Sequence, residues 1–128
     1  MKLLLDTSVI IDFLRRKDKE ASLFFKLSQE NYVLYISIIT HTELFSGKRV
    51  WEQKRLYDEL EELCSGLEVL SIDPFLSQKA GHARVHFGMQ LADAIIAATA
   101  LHHDLSLATF NTKDFKQVKG LKLFTESN

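Results

Sequence analysis

The chain is poor in the residues that punctuate or staple small proteins. It has one cysteine (Cys64) and one proline (Pro74) in 128 residues. A single cysteine excludes an intrachain disulfide and a zinc site built on thiolates. It also makes a reducing cytosol the natural compartment. No Pro-, Gly- or Ser-rich linker, internal repeat or low-complexity stretch interrupts the chain, so residues 1–128 read as one domain able to bury a real core. Long apolar runs are missing too. None approaches the roughly 20 residues that span a bilayer. Leu3-Leu4-Leu5 stops at Asp6, and Asp12 interrupts the next apolar stretch, which leaves no adequate signal-peptide core. A soluble cytoplasmic protein without membrane contact is expected. Charge of one sign is lacking as well: Lys and Arg total 16, Asp and Glu 17, and the formal net charge is −1. Bulk attraction to nucleic acid is thereby excluded, leaving a local basic patch or bound cations as the route.

Short, continuous apolar runs bounded by polar residues are present instead. Leu3–Leu5, Val33–Ile36, Val69–Ile72 and Ser106–Thr109 have the pattern of strands buried on both faces, and Lys122–Phe124 offers a fifth. Helical patterns lie between them. Val9, Ile10, Phe13 and Leu14 share a face, and Leu23, Phe24 and Leu27 form the next. Leu56, Leu60 and Leu63 recur among charges, and Ala92–Leu101 is apolar nearly all round, as in a central helix. Alternating strands and helices predict an α/β fold with a mainly parallel sheet of five (or four) strands flanked by helices. In such sheets ligands bind beyond the carboxyl ends of the strands. Acids that follow strands are therefore the residues of interest.

Asp6 directly follows the first strand, a position that suits a metal ligand. Helix capping is the alternative, although Thr7 and Ser8 can cap in its place; Ser8 is also placed to contact a phosphate or a metal-bound water. Glu43 follows the second strand. Thr40-x-x-Glu43 reads as a capping box, yet a first-turn Glu also faces the strand ends. Asp93 is the only charge between Leu91 and Leu101. A lone carboxylate in such surroundings costs several kcal/mol unless it is paired or binds metal, and a helix N-terminus softens that cost. Asn111 and Asp114 follow the fourth strand in Thr109-Phe110-Asn111-Thr112-Lys113-Asp114, which is also plain turn composition. Asp6, Glu43 and the Asn111/Asp114 pair all follow strands, so a parallel sheet brings them to one edge. Clustered carboxylates repel unless cations neutralise them, and hard oxygen ligands select Mg²⁺ or Mn²⁺. Two such ions about 4 Å apart are a common device for in-line phosphodiester cleavage.

Four ordered segments carry a resemblance. Leu4-Leu5-Asp6-Thr7-Ser8-Val9-Ile10, Thr42-Glu43-Leu44, Ala92-Asp93-Ala94-Ile95-Ile96-Ala97-Ala98-Thr99-Ala100 and Leu107-Ala108-Thr109-Phe110-Asn111-Thr112-Lys113-Asp114-Phe115 resemble the PIN domain and, more narrowly, the VapC toxins of type II toxin–antitoxin systems. The resemblance implies a single three-layer PIN-like domain and a Mg²⁺- or Mn²⁺-dependent endoribonuclease. It also implies a homodimer and a cognate antitoxin as inhibitor. Carried over by position, Asp6 and Asp93 would be core metal ligands and Glu43 would complete the acidic centre. Asp114 is the candidate fourth acid, because Asn111 stands where some relatives keep theirs. Ser8, Thr109 and Asn111 would support the site or its substrate. The segment Gly88-Met89-Gln90-Leu91 is shorter than the polar loop of many relatives.

Other features are open to more than one reading. His82 and His86 have the spacing of a helical zinc site, but Ala83 stands where a zinc protease needs Glu. His102-His103-Asp104 reads as the end of the Asp93 helix. Lys48, Arg49, Lys54 and Arg55 form a basic cluster that suits a solvated helix face or RNA contact. Arg84, Lys113 and Lys116 are similar, the last two near the acidic edge. Trp51 and Phe24-Phe25 read as packing residues or as anchors for a partner helix. Two other functions fit an Asp after the first strand. One is a haloacid-dehalogenase-like phosphatase, which needs an acid where Ser8 stands. The other is a catalytically weak RNA-binding module with the acids as caps.

Overall fold

The computed structural model describes residues 1–126. Four strands form: β1 (Lys2–Leu5), β2 (Val33–Ser37), β3 (Glu68–Leu70) and β4 (Ser106–Ala108). Every neighbouring pair is parallel, in the spatial order β3-β2-β1-β4. The helices are α1 (Thr7–Arg15), α2 (Leu23–Gln29), α3 (Ile38–Leu44), α4 (Lys48–Glu52), α5 (Lys54–Ser65), α6 (Pro74–Phe87), α7 (Leu91–His102) and α8 (Thr112–Phe115). The candidate fifth strand contributes only one bridge. Leu107 N–H donates to Lys122 O and Phe124 N–H donates to Leu107 O, both at 2.8 Å. A three-residue β4, already paired with β1, has only Leu107 left to offer outward.

Strand alternation sorts the core into layers. Leu3 and Leu5 pack with Val9, Ile10, Phe24, Leu27 and Leu60 on one face. Leu4 points the other way, into Ala94, Ala97, Ala100, Leu107 and Phe115. The sheet is thus sandwiched between α1, α2 and α5 on one side and α7 and α8 on the other. Small residues dominate the buried surface of α7 (Ala94, Ala97, Ala98, Ala100), which lets its backbone lie close to the sheet. The turn into α7 is set by Gly88, whose φ of 65° ends α6 in the left-handed conformation; any side chain there meets backbone strain.

Chain order places the site. From β1 the chain moves outward to β2 and β3, then returns past β1 to β4. The order reverses between β1 and β4, and the crevice beyond their carboxyl ends is where α/β sheets bind ligands. Asp6 follows β1 and Thr109 follows β4, and Asp6 N–H donates to Ala108 O at 2.9 Å across that gap.

Candidate active site

Asp6 is only 3% exposed. It occupies the N-cap position of α1 but makes no side-chain capping bond. Its Oδ2 accepts from Ser8 Oγ and from Thr109 Oγ1, each at 2.7 Å. Both hydroxyls are held in turn: Ser8 Oγ accepts from Phe110 N–H at 3.2 Å, and Thr109 Oγ1 from Asn111 N–H at 2.9 Å. Charge-assisted bonds of this kind are stronger than neutral ones, so Asp6 has one orientation. Its Oδ1 accepts no hydrogen bond among the described residues. Since no buried side-chain oxygen or nitrogen there lacks a partner, Oδ1 faces solvent. Thr7 and Ser8 therefore do not cap α1 in place of Asp6. Asp6 already holds the N-cap position, so Thr7 and Ser8 are the first two residues of the helix, and their hydroxyls donate instead to Glu43 and Asp6.

Glu43 is exposed near the end of α3, not in a first turn, and the expected capping box does not form. The physical reason is that β2 runs into Ser37, whose Oγ accepts from Ile39 N–H at 3.2 Å and starts the helix three residues early. Thr40 becomes a fully buried helix residue. Glu43 Oε1 accepts from Thr7 Oγ1 at 2.7 Å, and Thr7 and Thr40 Oγ1 lie 2.9 Å apart. One hydroxyl has one proton. Thr7 gives its proton to Glu43, so Thr40 donates to Thr7, and a chain of hydroxyls ties α3 to α1.

Asp93 is the third residue of α7, half-buried in its first turn. Its carboxyl is pushed up to about 6, first by burial and then by the negative charges of Asp6, Asp114 and Glu43. The fields of all three other acids therefore reach it. Asp114 and Asn111 are exposed at the start of α8, where Asn111 makes no side-chain capping bond. Asp114 N–H donates to Asn111 O at 2.9 Å, which closes the turn. The acids converge without forming a tight cage. Among the described residues, no three His, Cys, Asp or Glu side chains are close enough together to hold a metal ion by themselves.

The remaining candidates fall outside this centre. His82 and His86 stack on the exposed side of α6, ring centroids 5.6 Å apart. His102 ends α7 and His103 caps it. Burial and His102 both lower the His103 pKa. Lys48, Lys54 and Arg55 pair with Glu52, Asp58 and Glu59 one turn along their own helices. Trp51 is 66% exposed, but its Nε1 donates to Phe45 O at 2.6 Å and its ring packs near Phe45 and Tyr57. Phe24 is buried against Phe13.

Comparison with known proteins places the fold in a family. The chain belongs to the PIN domain family, whose model matches residues 3–121. Within that family it is similar to ribonuclease VapC1 of Rickettsia felis, with 33% identity over 100% of this chain and 98% of the relative. Ribonuclease VapC1 of Methanocaldococcus jannaschii is also 33% identical, over 96% of this chain and 87% of its own. Among solved structures, DNA-bound VapBC from Salmonella typhimurium superposes with a TM-score of 0.79 at 26% identity, covering 97% of both chains.

Proposed function

We propose that this chain is a divalent-metal-dependent endoribonuclease and the toxin of a VapBC-type pair. The observation that carries the reading is the Asp6 centre. A buried carboxylate has one oxygen saturated by two hydroxyls and the other facing solvent, and its charge, with those of Asp114 and Glu43, acts on Asp93. Such an arrangement is costly for folding alone and is relieved by a cation.

The donor chemistry fits Mg²⁺ or Mn²⁺. Carboxylate, hydroxyl and carboxamide oxygens surround the site, and hard cations take oxygen ligands. Mg²⁺ keeps several waters and needs only one or two direct carboxylates, so the open spacing of these acids suits it. Asp6 and Asp93 would hold the ion, with Glu43 and Asp114 completing the shell through one side chain or a water each. A bound cation supplies positive charge to the phosphate and makes a water acidic enough to attack.

The protein's own groups do the rest. Ser8 and Thr109 fix Asp6. Glu43, with Oε1 occupied by Thr7, keeps Oε2 free to accept a proton from the attacking water. Lys113 and Lys116 are exposed beside the acidic edge, and no ion pair engages either among the described residues; they are positioned for the phosphates. Attack at phosphorus expels a 3′-hydroxyl and leaves a 5′-phosphate. A groove walled by Ile11, Leu14, Leu44 and Val50 opens beside Glu43 and Arg49. It suits an amphipathic antitoxin segment that delivers a basic side chain to the acids. A homodimer and a cytoplasmic setting complete this reading; no helix among the described residues is long and apolar enough to cross a membrane.

The test is cleavage of single-stranded and structured RNA in Mg²⁺, with EDTA as control and Mn²⁺ affinity measured separately by calorimetry. Cleavage that EDTA abolishes, together with Mn²⁺ binding weakened in Asp6→Asn, supports the reading. Folded protein that binds Mn²⁺ and RNA but cuts nothing makes it a binding module. A single 2′-deoxy substitution at the cut site should leave cleavage intact. Blocked chemistry with binding retained would show that the 2′-hydroxyl is the nucleophile.

A further inference from the structure

Phe110 directly follows Thr109, one of the two residues that lock Asp6, and its side chain is 51% exposed. A single exposed aromatic is ordinary on a protein surface. This one differs in two respects. Its own N–H is held by Ser8 Oγ, and its neighbours Thr109 and Asn111 are linked through Thr109 Oγ1, which donates to Asp6 Oδ2. The backbone that carries the ring is thus pinned to the carboxylate centre. Its exposure is also uncompensated. Trp51 is tied into an aromatic cluster, and Phe75 sits against His102 and under Lys79. Phe110 has no aromatic or cation–π partner among the described residues.

The geometry points to Phe110 as a stacking platform for a nucleobase next to the scissile phosphate. The inference rests on the ribonuclease reading above and names how that site would grip its substrate. Single-stranded nucleic acid is held by aromatic rings under the bases and cations along the backbone. Both are present on one short segment, because Lys113 and Lys116 follow Phe110 within two turns of chain. On α4 and α5, Lys48, Lys54 and Arg55 are each engaged by an acid; Arg49 has no ion pair among the described residues but has no exposed, unpartnered ring beside it in sequence. An RNA strand would therefore approach over β4 and α8, with one base on Phe110 while its phosphate faces the cation that Asp6 and Asp93 would hold.

The experiment is a cycle between ring and base. The cut site in a short single-stranded RNA is mapped with the unaltered protein. Phe110→Ala and Phe110→Trp are then assayed on that RNA and on versions carrying an abasic nucleotide on either side of the cut. Phe110→Ala should lower kcat/KM about tenfold, chiefly through KM, and Phe110→Trp should restore it. One abasic substitution should cost the unaltered protein a similar factor and cost Phe110→Ala nothing more. Fluorescence gives a readout independent of cleavage: the added indole of Phe110→Trp should be quenched by the oligonucleotide beyond any change at Trp51. Unchanged kinetics in Phe110→Ala, or ring and base losses that multiply, would overturn the inference while leaving the ribonuclease reading intact. If the unaltered protein cuts no RNA, the ribonuclease reading fails, and absence of indole quenching then refutes the stack as well.

Discussion

The acidic site has two poles built on opposite principles. At the inner pole, Asp6 is buried and bonded by two hydroxyls, and Asp93 is half-buried with its carboxyl raised to about 6. At the outer pole, Glu43 and Asp114 are exposed, with one side-chain bond to Glu43. Asp6 is fixed by its two hydroxyls and Asp93 sits in the first turn of α7, so on the proposed function little ordering would remain to be done on binding an ion. The outer pair can move to meet an ion, a water or a partner's cation. The difference suggests a division of labour in which the inner pole sets affinity and the outer pole adapts to substrate.

The largest effect that would break this comparison is loss of the inner pole. Asp6→Asn and Asp93→Asn should each lower RNA cleavage about a thousandfold, since charge stabilisation of several kcal/mol is removed. Both should also weaken Mn²⁺ binding in calorimetry. Asp114→Asn and Glu43→Gln should cost less, about ten- to a hundredfold in cleavage rate, with smaller losses in Mn²⁺ affinity. Equal losses at the two poles would end the distinction. Thr109→Val sharpens it from the supporting side. The swap keeps the shape but removes one of the two bonds to Asp6 Oδ2, and weakening a ligand's partner typically costs about 10–100-fold in metal affinity. The lower end is expected here, because Ser8 still holds the same oxygen.

Much of this was legible in the residues. Acids following strands and a near-unbroken apolar helix around Asp93 pointed to one edge of a parallel sheet, and in the structure the charges of Asp6, Asp114 and Glu43 all act on Asp93. The resemblance marked Ser8 and Thr109 as site support, but the bonds that their hydroxyls and those of Thr7 and Thr40 make were not legible. Thr7, Ser8 and Thr40 have the composition of caps, and local rules assign them to helix starts. The bonds of Thr7 and Thr109 to other elements span 33, 36 and 103 residues, separations at which a single sequence carries no pairing information. The concentration of Thr and Ser around every acid but Asp93 was the available signal. The start of α3 was misplaced for a related reason: Ser37 and Thr40 are both good caps, and only the length of β2 decides between them. The fifth strand fell short because β4 has just three residues to offer.

The smallest predicted effect separates the poles by stability. In the absence of divalent cations the Asp93 carboxyl titrates near 6 in the fold, against an ordinary value of 3.8. Between those values the unfolded chain has released this proton while the fold still holds it. Stability from this group is therefore complete below about pH 4, falls as pH rises to about 6, and stays reduced above. Asp93→Asn removes the titration and should raise the melting temperature in EDTA at pH 7.5. A partly exposed carboxylate is screened by water, so the gain should be on the order of 1 kcal/mol, about 3–5 °C for a domain of this size. At pH 4 the two proteins should melt together. Asp114→Asn, fully on the exposed outer pole, should show a smaller shift in the same direction, since it relieves only one of the three charges acting on Asp93. With Mg²⁺ added the order should reverse for Asp93→Asn, because the unaltered protein alone gains the ion's binding energy. A variant less stable than the unaltered protein in EDTA at pH 7.5 would mean that Asp93 is held by a favourable contact, and that the inner pole does not store the repulsion a cation would relieve.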